Sequence, residues 1–217
     1  MTCLESCRAA READLEAYVA RIRTCRICRD TPLGARLPHE PRPVLRVSTT
    51  ARLLVASQAP GLRVHATGLP FNDPSGDRLR AWMGVTRETF YDEALIAIVP
   101  MGFCFPGYSP AKADLPPRPE CREAWHDELF NLMPQIECIL AIGLYAQAYH
   151  FARLGRPLRR GASLAEIVAA QSPADARPRL IALPHPSWRN NGWIKRNPWF
   201  ESDVLPGLRQ AVVEGTT

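Results

Sequence analysis

Apolar residues recur along this chain in two rhythms. Between Glu5 and Arg29, the residues Leu15, Tyr18, Val19 and Ile22 fall at helical spacing. They predict one amphipathic helix with a single apolar stripe. Further on come short, nearly continuous apolar runs: Ala51–Ser57, Ala94–Val99, Cys138–Ile142 and Leu180–Leu183. Each reads as a short strand of the kind buried inside a sheet. Helical pattern returns between them. Asp73 stands at an N-cap position with Pro74 in the first turn, and Leu79, Trp82 and Met83 point inward. Glu120–Leu132, Leu144–Leu154 and Ser202–Val213 read as helices, the last bent or restarted at Pro206. Pro32–Pro43 and Gly102–Pro119 have no period. The first reads as an irregular surface segment, the second as a loop long enough to imply function.

Strand and helix therefore alternate after an opening helix. This predicts an α/β fold, a three-layer αβα sandwich around a central four-stranded, largely parallel sheet. The 217 residues suit one domain over positions 1–217. In such sheets ligands bind beyond the carboxyl ends of the strands. The loop after the first strand, Ser57–Gly61, and the loop after the fourth, beginning at His185, should share one rim.

Composition narrows the class. An apolar fraction of 46% and a charged fraction of 23% are those of an ordinary globular protein. No uncharged run is long enough for a membrane span, so no membrane partner is expected. Glu5, Arg8, Arg11 and Glu12 crowd the first residues, which argues against a secretory leader and for a cytoplasmic protein. A net charge of +5 permits a polyanionic partner. The seven cysteines are an odd number, so close pairs read better as metal or cluster ligands than as a disulfide framework.

Three groups of residues could carry chemistry. In the stretch from Ser57-Gln58-Ala59-Pro60-Gly61 to Phe71-Asn72-Asp73, Pro60-Gly61 forces a turn and small residues let backbone amides approach a ligand. A helix N-terminus at Asp73 favours an anionic carboxylate; the simpler reading is a cap and a turn. In His185-Pro-Ser-Trp-Arg-Asn-Asn-Gly-Trp193, a histidine is held between two prolines after a strand. Ser187, Arg189, Asn190 and Asn191 suit phosphates and base edges, while Trp188 and Trp193 offer aromatic planes and Lys195 and Arg196 add charge. The simpler reading is a proline-rich surface loop. Finally, Cys25-x-x-Cys28 has metal-ligand spacing. Cys104 and Cys121 bracket the irregular loop and could complete a four-thiolate site for iron–sulfur or zinc; otherwise all four are packing residues.

In this order the three groups resemble the uracil-DNA glycosylase superfamily, nearest to its iron–sulfur branches, families four and five. The resemblance runs from about Cys25 to Asn191. Ser57-Gln58-Ala59-Pro60-Gly61 is similar to a first motif Gly-x-Ala-Pro-Gly/Ala. Thr67-Gly68-Leu69-Pro70-Phe71-Asn72-Asp73-Pro74-Ser75-Gly76 is similar to Thr-Gly-Arg-x-Phe-Thr-Gly-Asp-x-Ser-Gly, one residue shorter before the aspartate. His185-Pro186-Ser187 is similar to the closing His-x-Ser. The resemblance implies an enzyme that breaks the N-glycosidic bond of uracil, or of related damaged bases, in DNA and leaves an abasic site. The alternative is a weakly catalytic module of the same fold that binds damaged or single-stranded DNA.

The resemblance also implies roles. Asp73 would orient the attacking water and stabilise the sugar cation, and His185 would bond the uracil O2. Gln58, Ala59, Pro60, Gly61, Phe71 and Asn72 would hold the base, with the Phe71 ring stacked on it. Ser187, Trp188, Arg189, Asn190 and Asn191 would meet the DNA. Cys25, Cys28, Cys104 and Cys121 would hold a structural 4Fe–4S cluster, with zinc or no metal as alternatives. The protein would work as a monomer. One branch places a uracil-reading Asn where this chain has Pro100, so a broader range of deaminated bases is expected. Asp114 in the long loop reads as a solvated surface residue.

Overall fold

The computed structural model describes residues 3–217. Met1 and Thr2, the start of the stretch read as lacking a secretory leader, lie outside the described residues. Helix α1 spans Cys3–Arg23 and α2 spans Ile27–Asp30. The single helix expected as far as Arg29 is not formed. The Thr24 hydroxyl bonds back to the Arg21 carbonyl at 3.0 Å, and the Cys25 N–H reaches Ile22 O at 3.0 Å. Arg26 then leaves helical geometry at φ −128°. Such local side-chain bonds compete with the helical ladder. The break sets Cys25 and Cys28 on a tight corner rather than along one helix.

The core alternates as the apolar runs predict. Strand β1 (Leu53–Ser57) is followed by α3 (Leu62–Thr67), α4 (Pro74–Met83) and α5 (Arg87–Tyr91). Then come β2 (Ile96–Pro100), α6 (Pro119–Cys121), a π-helical stretch (Arg122–His126) and α7 (Asp127–Asn131). Strand β3 (Cys138–Ile142), α8 (Leu144–Arg153), α9 (Leu164–Ala169) and β4 (Arg179–Leu183) follow. The chain closes with a 3₁₀ turn (Trp188–Asn190), α10 (Asn191–Arg196), a second π stretch (Phe200–Val204) and α11 (Leu205–Thr216). The bend expected at Pro206 appears as this π stretch just before it. A proline early in α11 has no N–H to donate backwards, and the widened turn takes up the mismatch.

The sheet has four strands in the order β2-β1-β3-β4, all parallel. Leu53 is in register with Ile96 on one side and Cys138 on the other, and Cys138 with Arg179. Each strand is buried along its length apart from half-buried Arg179, so its side chains feed two cores. Leu54, Ala56, Val99, Ile139, Ala141 and Leu180 pack with α1, α7 and α8 through Leu15, Ile22, Leu129 and Phe151. Leu53, Val55, Ile98, Leu140 and Ile181 face the opposite way. They pack with α4, α5 and α11 through Leu79, Trp82, Phe90, Leu208 and Val212. Helices cover both faces, which is the three-layer sandwich expected, and the free rim lies at the strands' carboxyl ends.

Candidate active site

Beyond that rim lies a cavity of about 220 Å³. Its walls come from the loop after β1 (Ser57, Gln58, Ala59, Pro60, Gly61), from Phe71, Asp73 and Ser75, and from the loop after β4 (His185, Ser187, Trp188, Arg189). Pro100 at the end of β2, together with Val44, Val64, Pro70 and Ile98, completes the apolar part, and Asp114 closes one side. The two loops singled out in the sequence thus enclose one space. Asn72, Asn190 and Asn191 do not line it. Asn72 accepts from Arg87 at 3.2 Å, Asn190 donates to the His185 carbonyl at 2.7 Å, and Asn191 accepts from Arg78 at 2.7 Å.

Asp73 caps α4 as its sequence context predicts, its Oδ1 accepting the Gly76 N–H at 2.9 Å. The turn before it is tight. Phe71 is buried at φ 53°, a left-handed backbone that a bulky residue adopts only when its surroundings enforce it. A Cβ on residue 76 would lie 1.8 Å from the Phe71 carbonyl oxygen, so only glycine lets the capping turn close against Phe71. The Phe71 ring meets Phe90 edge to face at 5.9 Å, and Tyr91 donates to the Pro70 carbonyl at 2.8 Å. These contacts hold one ring at the cavity wall.

His185 is fixed by its own loop. Its Nδ1 accepts the Ser187 N–H at 3.2 Å. A backbone N–H can only donate, so the neutral ring carries its proton on Nε2. Burial pushes the imidazole below the ordinary histidine pKa; the carboxylates Asp73 and Asp114 act to raise it, and Arg189 acts to lower it. Arg78 on α4 ties the loop down, donating to the Ser187 carbonyl at 3.3 Å and to Asn191 at 2.7 Å. Outside this cradle, Trp188 is 71% exposed with the Arg189 guanidinium over its ring at 5.3 Å. A planar cation beside an exposed indole suits bases and phosphates.

Sequence reasoning passed over Arg78 and the position of Asp114 at the cavity. The spacing of Arg78 gave no hint of a partner about a hundred residues away. Asp114 is solvent-exposed as expected, yet it also lines the cavity, and its charge acts on His185.

The four cysteines lie in the same region, at the foot of the long loop. The thiols of Cys28 and Cys121 hydrogen-bond, which lowers Cys28 and raises Cys121, and Cys104 lies within electrostatic reach of Cys25, Cys28 and Cys121. Burial pushes the Cys104 thiol up to about 12. Donors surround the sulfurs: the Arg42 amide at Cys104, the Phe103 amide at Cys121, and the Trp125 indole N–H at Cys25 at 3.3 Å. Among the described residues, no group of three or more His, Cys, Asp or Glu side chains is placed to hold a metal ion. His126 connects this region to the cavity wall. Its ring nitrogens sit 3.2 Å from the Cys121 carbonyl and 3.0 Å from the Pro100 carbonyl.

The structure is thus a parallel α/β domain with a small cavity at its strand ends, walled by a carboxylate, an imidazole and an aromatic ring. Residues 46–209 match the model of the Uracil DNA glycosylase superfamily, and the chain belongs to that superfamily. The matched span contains both cavity loops, Cys104 and Cys121; it does not reach Cys25 and Cys28. Membership points to a DNA glycosylase, a hydrolase of DNA repair. No described helix is long and apolar enough to cross a membrane.

Proposed function

We propose that the protein excises uracil, and with it related deaminated bases, from DNA by hydrolysing the N-glycosidic bond and leaving an abasic site. The observation that carries this reading is the convergence of Asp73 and His185 on one cavity beside the Phe71 ring. Breaking the bond leaves a cationic sugar and an anionic base. Asp73, held on the α4 cap, orients water and offsets charge on the sugar. His185 directs its Nε2–H at the base oxygen where negative charge grows, a donor already in place before reaction. A base inside a duplex cannot reach such a cavity, so the nucleotide must be turned out of the stack. Phe71 then stacks on the base, and Trp188 and Arg189 occupy the gap and the flanking phosphates.

The same reading assigns Cys25, Cys28, Cys104 and Cys121 to a structural 4Fe–4S cluster, which would pin α2 and the long loop to α6. What supports it is the neighbourhood of the four thiols, with N–H donors at Cys25, Cys104 and Cys121 that act against the burial raising Cys104 and Cys121.

The test is excision from a labelled uracil-containing oligonucleotide followed by alkali cleavage, with hypoxanthine and xanthine duplexes alongside. The wild type should excise uracil. His185→Ala should lose about 10²–10³ in rate, the usual effect of removing a placed donor. Asp73→Asn should lose excision while keeping stability and DNA binding, since Asn caps a helix as well as Asp. Unchanged excision in Asp73→Asn would reduce Asp73 to a helix cap and defeat this mechanism. Absence of excision by the wild type would leave a DNA-binding module.

A further inference from the structure

We infer that Asp114 reads the base: its carboxylate accepts a ring N–H of the turned-out base and selects bases that present one. This rests on the base-binding reading of the cavity and adds to it a residue and a rule of selection.

Several observations lead there. The wall at Pro100 is chemically mute. Proline has no N–H and no polar side chain, and its carbonyl is already engaged by His126 at 3.0 Å. Asp73 is held at the helix cap by Gly76, and His185 supplies a donor. Asp114 is the other carboxylate in the lining. It stands on a small hairpin. Ser109 N–H bonds Ala113 O at 2.8 Å and Leu115 N–H bonds Gly107 O at 3.0 Å, so Tyr108 and Asp114 pair directly across it. Cross-strand partners point to the same side of a ribbon. Tyr108 packs edge-on against Phe105 at 5.0 Å, which anchors that side, and the turn between the paired residues holds Lys112 at φ 56°. Among the described residues no donor bonds the Asp114 carboxylate, although its charge acts on His185. It is an acceptor held at the cavity with nothing in the protein to accept from.

An ionised carboxylate accepts only. Deamination converts precisely the feature it would sense. Cytosine N3 and adenine N1 are lone-pair acceptors. In uracil and hypoxanthine the same positions carry N–H. Facing a carboxylate, the parent base meets lone-pair repulsion and the deaminated base makes a charge-assisted bond. One side chain thereby separates a pyrimidine and a purine product from their parents, where an amide reader would also be tuned to the neighbouring oxygen.

Binding measured separately from excision tests this. The probe is an oligonucleotide carrying 2′-fluoro-2′-deoxyuridine, which resists hydrolysis, beside the same strand methylated at N3. Fluorescence anisotropy gives the affinity ratio for the wild type, Asp114→Ala and Asp114→Asn. The wild type should prefer the unmethylated base by at least about tenfold, the worth of one hydrogen bond to a charged group. Asp114→Ala should bind both strands alike, and Asp114→Asn, which keeps an acceptor oxygen, should restore much of the ratio. A wild type without preference, or a ratio unchanged in Asp114→Ala, overturns the assignment. A preference that depends on Asp114 in a protein that never excises uracil would instead overturn the excision reading and leave this one standing.

Discussion

At the scale of single residues, His185 shows how a loop sets chemistry. The Ser187 N–H occupies Nδ1, and burial favours the uncharged ring, so the neutral ring carries its proton on Nε2, the form the proposed mechanism requires. The sign of the pH dependence follows. A depressed pKa keeps the ring neutral below the ordinary histidine value of 6.5. Excision should therefore stay level as pH falls through 6.5 and decline only at more acidic values, where Nδ1 gains a proton and the Ser187 bond breaks. A kcat/KM profile that rises as pH falls through 6.5 would identify the cation as the active form. Residue roles were legible where they are local. Asp73 before Pro74 announces a cap within four residues. Asp114 was not legible, because its position depends on a hairpin closing between Gly107 and Leu115 inside a segment without period. The left-handed Phe71 was equally hidden, since its conformation is imposed by Gly76, by contact with Phe90 and by the Tyr91 bond to the Pro70 carbonyl.

At the scale of elements, the four strands were readable because five-residue apolar runs buried on both faces have few other meanings. The short helices α3, α5 and α9 were not, since five or six residues give no full helical period. The opening helix was read too long for the related reason that a pattern does not show where a threonine turns the backbone. That break matters, because it turns the first cysteine pair toward α6. Isolated under anoxic conditions, the protein should be brown, with broad visible absorption that a Cys121→Ser substitution diminishes. The substitution should also make the 102–119 loop more open to proteolysis, as the tie between α2 and α6 is weakened. A colourless protein containing neither iron nor sulfide would remove the cluster and leave the cavity chemistry intact.

At the scale of the whole molecule, the predicted rim is where both loops meet, but the strand order could not be read, because apolar runs do not say which neighbour they choose. The core also carries a titratable group with a global effect. His150 is fully buried between Phe130 and Tyr149, and neither ring nitrogen has a hydrogen-bond partner among the described residues. Burial pushes its pKa down to about 3 from 6.5. Between those values the unfolded chain binds a proton that the folded chain refuses, so stability falls as pH drops through this window. The slope from one such group is about 1.4 kcal/mol per pH unit. His150→Phe should flatten the decline, seen as a smaller loss of urea midpoint between pH 7 and pH 5. An unchanged pH slope would place the acid sensitivity elsewhere.

The strand order β2-β1-β3-β4 has a consequence for the order of assembly. Strand β1 lies inside the sheet, yet both of its neighbours emerge later in the chain, and β4 can join only after β3 is in place. Half of the cavity hangs from β1 and the other half from β4. The two cavity residues Asp73 and His185 are therefore divided between the loops after the first strand made and the last, and they come together only once the pairings between those strands have formed. On the proposed mechanism, excision would become possible only once the last of these pairings has formed.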